Sequence, residues 1–123
     1  MSKAAESASS TESFEDRAAR ALTEPMTVID DRLDQSLRDE EFLVVTGSGT
    51  YVVDMVAEAC DCPDALHRAP DGGCKHIQRV ALARGERTIP GWVDRSAIDP
   101  ELGQHLTASP RIATPDGRTE VLD

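Results

Sequence analysis

The chain has 123 residues and a formal net charge of -10, from 23 acidic residues set against 13 basic ones. This length suits one small domain with a single core. No apolar run follows Met1, and no stretch approaches the roughly 18 apolar residues of a membrane span, so we expect no membrane segment and a cytoplasmic location. The large aromatic rings are few: Phe14, Phe42, Tyr51 and Trp92. The interior is therefore expected to be small and aliphatic.

The basic residues are almost all arginine, because Lys3 and Lys75 are the only lysines. An acidic, arginine-rich composition suits a salt-rich interior, where the Debye length falls to roughly 3 Å at molar salt and acidic self-repulsion is screened. An ordinary acidic cytosolic protein has the same composition, so this pattern alone leaves both readings open.

The N-terminal region predicts a tail followed by a short helix. Residues 1–12 are mostly small and polar and are expected to be disordered. Ser13 can cap a helix with Asp16 three residues later, and Pro25 ends the pattern. The apolar residues between them fall at helical spacing: Phe14, Ala18, Ala21 and Leu22.

A β-rich region follows. Residues 26–29 predict a first strand, and the acidic segment 30–41 predicts either a helical turn or a solvated loop. The runs 42–46 and 50–56 flank a glycine-containing turn and predict a hairpin. In its second arm one face is apolar and can be buried: Tyr51, Val53 and Met55.

A second helix is predicted over 74–84, after a turn at 70–73 that is rich in proline and glycine. One side of this helix carries Ile77, Val80, Ala81 and Arg84. Lys75 and Arg79 lie four residues apart on another edge, which we expect to face away from the core.

Beyond this helix the signals weaken. Leu82 falls among the polar positions, so we expect the segment 88–93, with Ile89, Pro90 and Trp92, to fold back over it. Residues 94–123 predict a weakly structured extension, with one helical turn at 99–103 and a small hairpin or loose tail within 111–122.

The three cysteines lie in two short clips. Cys60 and Cys62 form a CxC pair, Cys74 and His76 form a CxH pair, and eleven residues separate the pairs. Three thiolates and one imidazole suit tetrahedral zinc and fill its four positions, which is typical of a structural site. The clips follow a predicted hairpin and begin a predicted helix, so one Zn²⁺ would cross-link the two elements and stabilise a small core.

Two other readings of the cysteines stay open. They could be small buried residues in a domain without metal. Alternatively, Cys60 and Cys62 could be redox or nucleophilic thiols beside the nearby His67. His67 lacks the clip spacing and is interpreted as a loop residue, and His105 as a surface residue.

The arrangement CxC, spacer, CxH, set between a hairpin and a helix, resembles the SWIM-type zinc fingers. The resemblance covers roughly 51–84 and includes Pro63, Asp64 and Arg68 in addition to the clips. It implies zinc ligation by the family's four positions, Cys60, Cys62, Cys74 and His76, and a module that binds DNA or proteins. Small acidic proteins of this family occur in halophilic archaea, which is what the resemblance implies about origin.

Positive charge is concentrated near the clips. Residues 60–87 sum to +1, whereas the rest of the chain sums to -11. The candidate partner-binding residues are Arg68, Lys75, Arg79, Arg84 and Arg87. They could meet nucleic-acid phosphates, or pair with the protein's own acidic surface. Phosphate contacts weaken steeply with salt, and the acidic remainder would repel DNA.

We therefore predict a small zinc-stabilised α+β domain over 13–93, with its zinc module at 51–87. It is expected to act in protein–protein interaction, with DNA binding as the alternative and thiol redox chemistry as a weaker one. We expect neither enzymatic activity nor a small-molecule substrate.

Overall fold

Helices and strands are mixed along the chain, as the predicted α+β class requires. A computed structural model describes residues 16–30, 40–104, 106 and 108–122. The elements in chain order are α1 (Asp16–Thr23), β1 (Met26–Ile29), β2 (Glu41–Thr46), β3 (Gly49–Asp54), β4 (Ala59–Cys60), α2 (Pro63–His67), α3 (Lys75–Ala83), a 3₁₀ helix (Arg95–Ala97), β5 (Arg111–Ala113) and β6 (Thr119–Val121). The predicted tail 1–12, the cap at Ser13 with Phe14, most of the segment 30–41 and His105 lie outside the described residues.

The first four strands form one antiparallel sheet in the order β1-β2-β3-β4. The predicted hairpin is β2 with β3, in which Val44 pairs with Tyr51. Its apolar face is confirmed, because Val53 is buried and Tyr51 and Met55 pack against the core. The short strand β4 was not predicted, and it pairs Cys60 with Val53.

Helix α3 is the central element, because both hydrophobic clusters contact it. One cluster lies between α3 and the sheet and contains the three cysteines with Val44, Val53, Ile77 and Val80 among its members. The other joins α3 to α1 and the C-terminal region. Its buried members are Ala21, Leu22, Leu82, Ala83, Ile89, Ile98, Leu102 and Ile112. Seven of the nine residues of α3 are buried, so the helix is covered on more than the one side that the sequence indicated.

The prediction that the segment 88–93 folds back over Leu82 is confirmed for Ile89 and wrong for Trp92. Leu82 and Ile89 are both fully buried in the second cluster. Ile89 is held there by an isolated parallel bridge to Ile112, with its N–H donating to the Arg111 carbonyl at 2.8 Å. The Trp92 side chain, by contrast, is 60% exposed.

The region predicted as a weakly structured extension supplies part of the core. Strands β5 and β6 form a two-stranded sheet, which matches the hairpin alternative of the prediction. Ile98, Leu102 and Ile112 from this region are buried in the second cluster. Three apolar residues spread over positions 98–112 give no periodic signal, so their packing became visible only in three dimensions.

Candidate metal centre

The CxC pair lies at the end of the sheet. Extended backbone alternates its side chains, so Cys60 and Cys62 face the interior while Asp61 between them faces out. Asp61 fastens this segment to β3, because its carboxylate accepts the Val52 N–H at 2.9 Å and its own N–H donates to the Val52 carbonyl at 3.4 Å. The clip is thus held by strand pairing as well as by its cysteines.

Cys62 also begins α2. It is the N-cap residue, with Pro63 at the first helical position, and its sulfur accepts the Ala65 N–H at 3.4 Å. A sulfur at a helix N-terminus receives an N–H hydrogen bond that favours its thiolate form. The two cysteines of this clip are therefore positioned by a strand and by a helix start respectively.

The CxH pair directly follows the turn at 70–73, which sets its position. The Gly73 N–H donates to the Pro70 carbonyl at 3.0 Å, and both Gly72 and Gly73 have positive φ, at 79° and 92°. Cys74 is then the N-cap of α3 and His76 lies in its first turn. The His76 ring packs on Tyr51 of β3, with ring centroids 4.5 Å apart, which fixes its orientation.

The four predicted ligands converge on one point. One donor atom from each of Cys60, Cys62, Cys74 and His76 lies within 4.8 Å of all the others, and all four residues are buried. His76 Nδ1 is 3.7 Å from the sulfurs of both Cys60 and Cys74. Zinc bonds of about 2.3 Å to sulfur and 2.0 Å to nitrogen, at tetrahedral angles, place S and N about 3.5 Å apart. The donor set therefore fits zinc in chemistry and number, and its two nitrogen–sulfur distances are close to those of a zinc site.

The thiols cannot all be charged in this buried space without a cation. A hydrogen bond from Cys60, with further ones from His76 and from the Ile77 N–H, lowers the pKa of Cys74 to about 4. The same bond, together with burial, raises the pKa of Cys60, and burial raises the pKa of Cys62. These opposite pKa shifts favour a thiolate at Cys74 and protonated thiols at Cys60 and Cys62. A bound Zn²⁺ would let all three become thiolates.

Arg79 is not a surface residue, so the expectation that its edge of α3 faces away from the core is wrong. Its side chain is 0% exposed and its Nη2 donates to Asp99 Oδ2 at 2.5 Å. The other guanidinium bonds reach the carbonyls of Ala21, Glu24 and Met26, at 3.1, 3.0 and 2.7 Å. Burial lowers the pKa of Arg79 and Asp99 opposes that shift. Arg79 is thus unavailable to a partner, and its charge is matched internally.

Two further predicted contact residues are also engaged within the protein. Arg84 lies 2.8 Å from Glu40 and 3.1 Å from Glu86, with its guanidinium over the Phe42 ring. Arg87 donates to the Gln78 side chain. The reading in which these arginines pair with the protein's own acidic surface therefore describes Arg84, whereas Gln78 is a neutral partner for Arg87.

Arg68 and Lys75 remain at the surface. Arg68 is 73% exposed and forms a loose 3.4 Å pair with Asp64, and Lys75 pairs with Glu24 at 2.6 Å. His67 is exposed at the end of α2 and does not belong to the ligand group.

Sequence reasoning missed two basic residues that lie beside the metal centre. Arg17 and Arg20 on α1 border the same cavity as His76, and Arg17 binds the Asp64 carboxylate through bonds of 2.8 and 3.1 Å. Their three-residue spacing on a predicted helix placed them on one face. Nothing in the sequence showed that this face meets the start of α2.

Comparison of the chain with protein-family models, with curated proteins and with solved structures finds no match. Within the described residues, no helix has both the length and the apolar character needed to cross a membrane.

Proposed function

We propose that this chain is a zinc-binding protein in which one structural Zn²⁺ is held by Cys60, Cys62, Cys74 and His76. The observation that carries the proposal is the convergence of these four donor atoms within 4.8 Å in a buried site. The metal would join β4 and the start of α2 to the start of α3, elements that are distant in sequence. Its binding free energy would then stabilise the fold.

A structural role is favoured over redox or catalytic chemistry. Four protein ligands leave no open position for water or substrate. A reactive cysteine needs a partly exposed thiolate, whereas all three cysteines here are at most 6% exposed. We therefore propose that the protein is not an enzyme and that its thiols serve the metal.

The zinc module is proposed to serve in protein–protein interaction, in the manner of the SWIM-type zinc fingers that its sequence resembles. Support comes from the CxC clip after a hairpin and the CxH clip at a helix start, as that resemblance implied. DNA binding is the less favoured alternative. Arg79 is buried and Arg84 is paired, which leaves fewer exposed cations for phosphate contacts, and the residues outside 60–87 sum to -11.

Metal analysis and chelation of the purified full chain test the zinc assignment. We expect about one zinc per chain and loss of the hairpin–helix structure when a chelator removes it. His76→Ala should lose zinc, while the matched variant His67→Ala, at an exposed histidine outside the ligand group, should keep it. A wild-type protein that is stably folded without any metal would refute the assignment.

A gel-shift titration across salt tests the partner class. We expect no shift of duplex DNA at low ionic strength, where phosphate contacts are strongest. A shift that Lys75→Glu abolishes would favour the DNA alternative instead.

A further inference from the structure

A basic cavity lies against the metal centre. It has a volume of about 190 Å³ and is bordered by Arg17, Arg20, Asp64, Arg68, Lys75 and His76. These residues come from α1, from α2 and its C-cap residue Arg68, and from the first turn of α3, so the cavity forms only when the three helices meet. It is one of the places where the fold brings together charges that are far apart in sequence.

The cavity is positive in a protein that is otherwise strongly negative. Four cations border it against the single carboxylate of Asp64, and the neighbouring Glu24 pairs with Lys75. Among the described residues that border the cavity or pair with its border, four cations are thus set against two carboxylates, in a chain whose net charge is -10. Asp64 also orders the site, because it holds the Arg17 guanidinium through two bonds and lies 3.4 Å from Arg68.

His76 adds a directed donor. Its Nδ1 faces the sulfurs, so metal binding at Nδ1 leaves the proton on Nε2 at the other edge of the ring. The histidine is 5% exposed and borders the cavity. A metal-bound histidine usually donates its second N–H to an acceptor, and the hydrogen bonds that the structure gives the His76 ring are those of Nδ1 to the sulfurs. An acceptor group in the cavity would receive a hydrogen bond from the Nε2–H.

We propose that this cavity binds a phosphoryl group carried on a serine or threonine side chain of a protein partner. Guanidinium groups recognise phosphate oxygens through paired N–H donors, and lysine adds a point charge. The inference rests on the proposed function, because it gives the interaction module a partner chemistry and uses the metal-bound form of His76.

The shape and charge of the surface favour a single phosphoryl group over a nucleic acid. A nucleic-acid strand is bound through a row of phosphate contacts, whereas these cations converge on one small cavity. Arg79 and Arg84, which would have extended the basic surface along α3, are buried or paired. A polyanion would also meet the repulsion of the acidic remainder, which a compact dianion feels less.

The test uses the zinc-loaded full chain and a short blocked peptide with one phosphoserine between glycines. NMR would follow the His76 ring and the arginine side chains at constant ionic strength. We expect saturable shifts at these groups with the phosphopeptide and with inorganic phosphate, and none with the unphosphorylated peptide. Arg20→Glu should weaken binding about tenfold, because it reverses a charge that faces the dianion. Arg68→Gln, at an exposed residue whose loss should not affect folding, should weaken it less.

Arg118→Glu is the matched control, since it makes the same charge change at an exposed arginine outside the cavity. It should change the affinity less than twofold. An equal effect of Arg118→Glu and Arg20→Glu would overturn the proposal in favour of general electrostatics. If a single-stranded oligonucleotide binds more tightly than the phosphopeptide, and Arg20→Glu abolishes that binding, the proposal that the phosphoryl group is carried by a protein partner is refuted. Zinc is measured in the same samples: absence of phosphate binding in zinc-loaded protein refutes this inference alone, whereas a folded zinc-free protein refutes the proposed function.

Discussion

Removing the Asp99 carboxylate should be among the most damaging single changes outside the metal centre. Asp99 Oδ2 accepts hydrogen bonds from Arg79 Nη2 at 2.5 Å and from the Met26 N–H at 3.1 Å. The side chains of Asp99 and Arg79 are both almost fully buried. Asp99→Ala leaves the Arg79 guanidinium bonded to the carbonyls of Ala21, Glu24 and Met26 and without its ion-pair partner. Removing one partner of a buried ion pair costs about 3–5 kcal/mol.

That loss is large against the whole stability of a small domain, which is about 5–15 kcal/mol. With a urea m-value of about 2 kcal/mol/M, a loss of about 4 kcal/mol lowers the unfolding midpoint by about 2 M. The assay is urea unfolding of the zinc-loaded protein, followed by circular dichroism, with zinc content measured in each variant. Asp116→Ala, at an exposed aspartate in the β5–β6 turn, is the control and should shift the midpoint much less.

A double-mutant cycle separates the interaction energy of the Arg79–Asp99 pair from the effect of removing the two side chains. Arg79→Leu strands the Asp99 carboxylate and frees three carbonyls, so it should also be strongly destabilising. The double variant contains no unpaired buried charge, and its loss should be smaller than the sum of the single losses by about 2 kcal/mol. Single losses below about 1 kcal/mol, or strictly additive ones, would show that the pair does not stabilise the fold as argued.

Three further outcomes are expected. Gly73→Ala should weaken zinc binding in a chelator competition more than Gly72→Ala. Both glycines have positive φ, so both substitutions strain the backbone. Only the Cβ at Gly73 would also collide with a neighbour, because it would lie 2.8 Å from Ile77 Cγ2, whereas a Cβ at Gly72 meets nothing within 4 Å. Equal effects would mean that the contact is harmless. Tyr51→Leu should weaken zinc binding by about 0.5–1.5 kcal/mol through loss of the ring contact with His76; unchanged affinity would show that the ring needs no such support. After chelation, backbone hydrogen exchange should become faster at Val53 and Cys60, in the first cluster, before it does so at Leu82 and Ile112, in the second. The reason is that the second cluster contains none of the proposed zinc ligands. Simultaneous loss of protection in both clusters would indicate one cooperative unit.

The metal centre could be predicted from the sequence because its geometry is local. A one-residue separation places Cys60 and Cys62 on one side of extended backbone, and a helix start places Cys74 and His76 within one turn. The glycines of the intervening turn bring the second clip back toward the first. Each of these steps depends on neighbouring residues alone, so spacing was enough to predict which four residues come together in a group that could hold a metal.

Arg79 could not be placed by the same reasoning. A charged residue on a helix is usually solvated, and the partner that reverses this, Asp99, is 20 residues away in a region with no clear element. The one relevant signal was Leu82 on the polar side of the helix, which indicated that something covers that side. It did not show that the cover reaches Arg79.

Strand β4 was missed for a different reason. It has two residues, Ala59–Cys60, which is too short to show alternation. It forms because the Asp54 carboxylate accepts the N–H groups of Val56 and Ala57 and closes a turn, with Glu58 at a φ of 54°. The turn returns the chain along β3 and brings Cys60 opposite Val53.

Helix α3 is fastened at two points that have different physical origins. At its N-terminus Cys74 and His76 would share a metal with the CxC clip, and in its middle Arg79 binds the end of α1, the start of β1 and Asp99. The metal is needed only for the first of these, since the second cluster and the Arg79 contacts include none of its ligands. The basic cavity is bordered by α1, α2 and the first turn of α3. Its shape therefore depends on both fastenings, so a partner that binds there would respond to zinc without touching it.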